Sequence, residues 1–114
     1  MTPKSDKVAV VPADKRIQTG RLDKALQFHN VADAARELSE DDEVADAAVT
    51  LYVHAGIAAA ALLATVDKKL ADHLRTLLGM KTRAGYGHDP ISLENLKKAQ
   101  RAATQLVEAA NRNI

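Results

Sequence analysis

With 114 residues, no cysteine and only three aromatic side chains (Phe28, Tyr52 and Tyr86), the chain has room for one domain and excludes disulfides and thiolate metal centres. Alanine and leucine supply most of the apolar content, which favours helices over strands and predicts an all-α domain with a small-residue core. The net charge of +1 hides a gradient: residues 1–30 carry six basic and three acidic groups, residues 31–66 one and seven, and residues 67–114 nine and five, a bias able to steer an anion to one end.

No basic, apolar and small-residue leader opens the chain, so a cytoplasmic location is expected. Residues 1–19 contain Pro3, Pro12 and a short apolar run, Val8 to Val11, without a helical period. They read as a flexible N-terminal arm with room for a short extended piece. Val8, Val10 and Val11 are its candidates for docking on the bundle or on a partner. Residues 20–114 read as a single helical domain.

The first helix is expected from Arg21 to Leu38, with Leu22, Ala25, Leu26, Val31, Ala32, Ala35 and Leu38 on one apolar stripe and Phe28 and His29 at its border. "SEDDE" (39–43) ends it and starts the next, with Ser39 or an early Asp as the cap and carboxylates facing the positive end of the new helix dipole.

From Glu43 to residue 80 the sequence has no proline and two glycines, Gly56 and Gly79. Unbroken, that segment is a helix of about 58 Å at 1.5 Å per residue, too long for a domain of this size to bury alone. Either it bends at "TVD", with Thr65 or Asp67 capping a new helix, or the long helix is shared or exchanged in a dimer. Gly56 permits close approach by another helix. Beyond the bend, Val66, Leu70, Leu74, Leu77 and Leu78 continue an apolar stripe. Ala47 to Val66 is twenty residues without a formal charge, long enough for a bilayer. Its alanine content and amphipathic flanks favour a buried core helix over a membrane span through 47–66.

The last helix is expected after Asp89-Pro90, capped by Ser92, with Leu93, Leu96, Ala99, Ala103, Leu106 and Ala110 facing inward and Lys97, Lys98, Arg101 and Arg112 mostly on other faces. The architecture predicted is an antiparallel bundle of three to four helices.

Candidate chemistry concentrates in "KTRAGYGHDP" (81–90). Arg83 and His88 stand as R-x4-H. A guanidinium can grip a phosphate bidentately, and a histidine can move a proton near neutral pH. In RNA the neighbouring 2′-hydroxyl supplies an internal nucleophile, so this pair can serve a metal-independent ribonuclease. The same residues also fit a plain helix end: glycines at 85 and 87 stop helices, and Lys81 and Arg83 complement the negative end of a dipole.

The stretch resembles the motif of the HEPN superfamily, the nucleotide-binding helical domains of many bacterial toxin and defence systems. A leucine-rich helix leads into "LLGMKTRAGY", the motif ends it, and an alanine-rich helix follows; the resemblance spans roughly residues 21 to 112. It implies a four- or five-helix bundle, a homodimer with motifs paired across a cleft, RNA or nucleotide as ligand, often RNA cleavage, and, in toxin systems, a cognate antitoxin as partner. Two registers fit. Matched as "RAGYGH", the catalytic pair is Arg83 and His88. Matched as "KTRAGY", Lys81 takes the arginine position and Tyr86 the aromatic one, with Gly85 in place of an acidic residue, as in a non-cleaving member. The chain also departs in its middle, where "AAAALLATVDKK" leaves little room for a loop. A non-catalytic dimerisation or interaction module is the alternative function.

Elsewhere, His54 is expected as a satisfied core histidine and His73 as solvent-facing. "EDDE" (40–43) lacks the glycine and ligand spacing of a calcium loop. The four histidines have no short metal-binding spacing, and no metal or cofactor is expected. No glycine-rich phosphate loop is present, and no Ser–His–Asp order can be argued from the sequence.

Overall fold

The computed structural model describes residues 3–63 and 65–112, with side chains described from Lys15 onward. It is an all-α bundle of four helices: α1 (Pro3–Leu38), α2 (Asp41–Ala60), α3 (Lys68–Tyr86) and α4 (Leu93–Arg112). The core is built from Ala25, Ala32, Ala48, Val49, Tyr52, Val53, Leu77, Leu96, Ala103 and Leu106, with Leu26, Leu70 and Leu74 packed against it. The second and fourth helices supply most of these residues and both contact all other helices.

The first helix begins at Pro3, well before the start expected at Arg21, which corrects the extended piece read into residues 1–19. Periodicity detects only a helix that buries a face, and residues 15–21 are all exposed. A proline in the first helical turn removes no intrahelical bond, whereas Pro12 lies within the helix and cannot donate to the Val8 carbonyl. The docking expected of Val8, Val10 and Val11 falls on side chains outside those described. The 36-residue α1 is about 54 Å long, close to the longest dimension of the molecule, 58 Å.

The chain turns from α1 to α2 across Ser39 and Glu40. Glu40, rather than Ser39 or an aspartate, is the N-cap, and the Glu43 carboxylate accepts from its backbone N–H at 3.2 Å. The long central helix is broken. Its last turn tightens as Leu62 and Leu63 donate to the carbonyls of Ala59 and Ala60, and Asp67 then caps α3 by accepting from the Leu70 N–H at 2.8 Å. No helix among the described residues is long and apolar enough to cross a membrane.

Gly56 performs the packing role read from the sequence. A Cβ there would lie 2.2 Å from Leu77 Cδ1 and 3.3 Å from Leu106 Cδ1, so α2 meets α3 and α4 at a spot with no space for a methyl group. Five stripe positions differ from expectation: Val31, Leu38, Val66, Leu78 and Leu93 are exposed. Leu38, Val66 and Leu93 lie at or beside helix ends, where the chain leaves the bundle.

Candidate functional site at the α2–α3 mouth

The 81–90 stretch divides between the end of α3 and the loop that follows it. Lys81 and Arg83 lie in the last turns of α3, and Tyr86 is its final residue. Arg83 there complements the carbonyl end of the helix dipole. Gly87 closes the helix, donating to the carbonyls of Thr82 and Arg83. Its φ of −71° is open to any residue. The constraint is closeness, since a Cβ would stand 2.9 Å from the Arg83 carbonyl oxygen.

The loop is tied to the bundle at its far side. The Asp46 carboxylate of α2 accepts from the Ile91 N–H at 2.8 Å, Ile91 is buried, and the Ser92 hydroxyl caps α4 by accepting from the Asn95 N–H at 3.1 Å. Ser92 is therefore the cap expected of it.

Lys81 and Tyr86 line one recess of 200 Å³ together with Gly85 of α3 and Thr50, Val53 and His54 of α2. Tyr86 is 89 % exposed, so its ring is accessible rather than packed. His54 is exposed, correcting its reading as a core histidine. One turn of α2 carries it out of the core, and its ring stacks on Phe28 of α1 with centroids 5.4 Å apart. Arg83 is exposed, as is His88, whose side chain is 97 % accessible with Asp89 3.8 Å away. No hydrogen bond or ion pair joins Arg83 to His88 within the described chain. His73 is half-buried rather than fully solvent-facing.

A second polar cluster, which sequence reasoning missed, joins α1, α2 and α4. The Asp33 carboxylate accepts from the Tyr52 hydroxyl and, at 3.1 Å, from Gln100 Nε2. His29 Nδ1 lies 3.5 Å from the other Asp33 oxygen, and His29 Nε2 is 2.8 Å from the Thr104 hydroxyl. Arg36 spans Asp41 through Nε and Nη2, at 3.2 and 3.1 Å, and donates from Nη1 to Gln100 Oε1 at 2.6 Å. Burial, foremost, and then the bond to Asp33 push the Tyr52 phenol well above its usual range. The Arg36 guanidinium holds the Asp41 carboxyl below its usual range.

This cluster lines up a carboxylate, an imidazole and a hydroxyl (Asp33, His29, Thr104). The signal in the sequence was helical spacing of polar residues beside the apolar stripe: 29, 33 and 36 on α1, and 100 and 104 on α4. Among the described residues no group of three or more His, Asp or Glu side chains is placed to hold a metal ion. No family model matches the chain, and neither a curated protein nor a solved structure matches it.

Proposed function

We propose that this chain is a HEPN-like RNA-binding protein that works as a homodimer, with Lys81 and Tyr86 as its phosphate- and base-holding pair. The observation that carries the reading is the recess they share with His54 and Thr50. Lys81 offers a point charge for a phosphate oxygen, and Thr50 and His54 offer polar atoms beside it. The accessible face of Tyr86 offers a stacking platform, a contact worth about 1–3 kcal/mol per base in single-strand binding. A recess of 200 Å³ suits one phosphate group or the edge of a base rather than a whole nucleotide.

Cleavage, in this reading, belongs to Arg83 and His88 of the paired motifs. The 2′-hydroxyl attacks the adjacent phosphorus, His88 takes its proton, Arg83 offsets charge on the pentacovalent phosphorus, and the 5′-oxygen leaves with a proton from the acid form of a second His88. Fluorescence anisotropy with labelled single-stranded RNA tests binding, and product analysis in the presence of chelator tests cutting. Lys81→Ala and Tyr86→Ala each weaken binding about tenfold. Arg83→Ala and His88→Ala abolish cutting while retaining binding. Binding without cutting selects the Lys81/Tyr86 register, and absence of both refutes the proposal.

The alternative, a non-catalytic dimerisation or interaction module, draws on a different observation. Phe28, Val31 and Leu51 line a 420 Å³ groove along α1 and α2, and α1 also exposes Ile17 and Leu38. A second copy or an antitoxin seated there accounts for those side chains without RNA. Molar mass in solution, with Val31→Asp as the disrupting variant, separates the two readings.

A further inference from the structure

The groove between α1 and α4 is separate from the Lys81–Tyr86 recess, which lies between α2 and α3. It measures 410 Å³ and is lined by Arg36, Lys97, Gln100, Arg101, Thr104 and Gln105. Three of those six side chains are cationic and none is acidic.

The charges differ in how they are held. Arg36 is held by Asp41 and by Gln100 of the same groove, so its orientation costs little further entropy when a ligand arrives. Lys97 and Arg101 are exposed one turn apart on the same face of α4, where like charges repel mildly. Among the described residues neither forms an ion pair, whereas Lys98, beside them in sequence, pairs with Glu94 at 3.6 Å. Asp41 is paired with Arg36 at 3.1 Å and also feels the charge of Lys97, so it offsets part of the groove's positive charge.

The floor is ordered as well. Gln100 is committed at both ends, its oxygen to Arg36 and its nitrogen to Asp33. Thr104 is half-buried with its hydroxyl on His29. Thr104 Oγ1 stands 2.8 Å from His29 Nε2, and Asp33 lies 3.5 Å from Nδ1 of the same ring. A threonine hydroxyl can donate as well as accept, and Thr104 lines the groove.

We propose that this α1–α4 groove is a binding site for a single phosphate group, gripped by Lys97 and Arg101 over a fixed Arg36, with the Thr104 hydroxyl as the neutral donor. The chemistry fits inorganic phosphate or the phosphate of a small monoester. It does not depend on the RNA reading of the α2–α3 mouth.

The test is a titration of full-length protein with inorganic phosphate and, separately, with adenosine 5′-monophosphate, against chloride at matched ionic strength. Backbone amide shifts are the readout. Saturable shifts at Lys97, Arg101 and Thr104, without equal shifts at Lys81 and Tyr86, support the site. Tighter binding of the monoester identifies an esterified phosphate as the ligand, and equal binding identifies the free anion. Arg101→Gln and Lys97→Gln, at exposed positions that leave the core intact, each weaken binding about tenfold, because a charge-assisted hydrogen bond is lost. Lys98→Gln removes the same charge outside the groove and changes affinity less than about twofold. Equal losses in all three variants, or no saturable shift in the native protein, overturn the proposal.

Discussion

Replacing Gly56 by alanine should destabilise this protein, although alanine is the better helix former. In an open helix the exchange gains about 0.5–1 kcal/mol. Here the new methyl would stand 2.2 Å from Leu77 Cδ1, whereas carbon atoms settle at about 3.5–4.0 Å. Leu77 must therefore retreat by more than about 1 Å, and both Leu77 and Leu106 are fully buried. Overpacking of that kind costs about 1–3 kcal/mol. The balance is a net loss of about 0–2.5 kcal/mol, with roughly 4 °C of melting temperature per kcal/mol. Gly79 supplies the control on α3: a Cβ there meets nothing within 4 Å, so Gly79→Ala keeps the helix gain and stabilises by about 0.5–1 kcal/mol. Urea and thermal unfolding followed by circular dichroism measure both, and Leu77→Val in the Gly56→Ala background should recover part of the loss. If Gly56→Ala gains stability as Gly79→Ala does, the close contact of α2 with α3 and α4 is wrong.

Three further outcomes follow from the contacts. Asp46→Ala frees the Ile91 amide, so hydrogen exchange at Ile91 accelerates and the 87–92 loop loosens, at a cost of about 1–2 kcal/mol. Because Arg36 depresses the Asp41 carboxyl, the pair contributes stability that is complete above the unfolded carboxyl pKa and lost as pH falls through the lower folded value. Asp41→Asn should flatten that part of the acid unfolding profile. Burial and Asp33 raise the Tyr52 phenol, so its contribution is complete below the unfolded phenol pKa and declines as pH rises toward the folded one. An alkaline absorbance titration should show Tyr52 ionising only as the fold opens, and Tyr52→Phe should delete that late step.

Helix boundaries were readable wherever a cap or a buried face left a local mark. Asp67 and Ser92 are short polar side chains at helix starts, and both accept the expected backbone N–H. The Gly56 contact was readable because a glycine in an alanine run has little purpose other than closeness. The start of α1 was not readable, because exposed residues 15–21 need no apolar period to be helical. His54 was misjudged for a related reason: in an uncharged run, composition does not reveal which side of α2 faces out, and tertiary packing decides it. In the candidate site, Lys81 and Tyr86 were visible as a motif, but the α2 wall supplied by Thr50 and His54 depends on how two helices cross. The Asp33–His29–Thr104 order needs residues from α1 and α4 to meet across 75 positions of sequence. Spacing along one helix hints at it, and only the folded bundle makes the contact.

Amide shift mapping with a short single-stranded RNA decides whether the α2–α3 mouth holds RNA as proposed. Saturable shifts centred on His54, Lys81, Gly85 and Tyr86, lost in Lys81→Ala, are the expected result. Shifts confined to the α1–α2 groove, or none at all, contradict it.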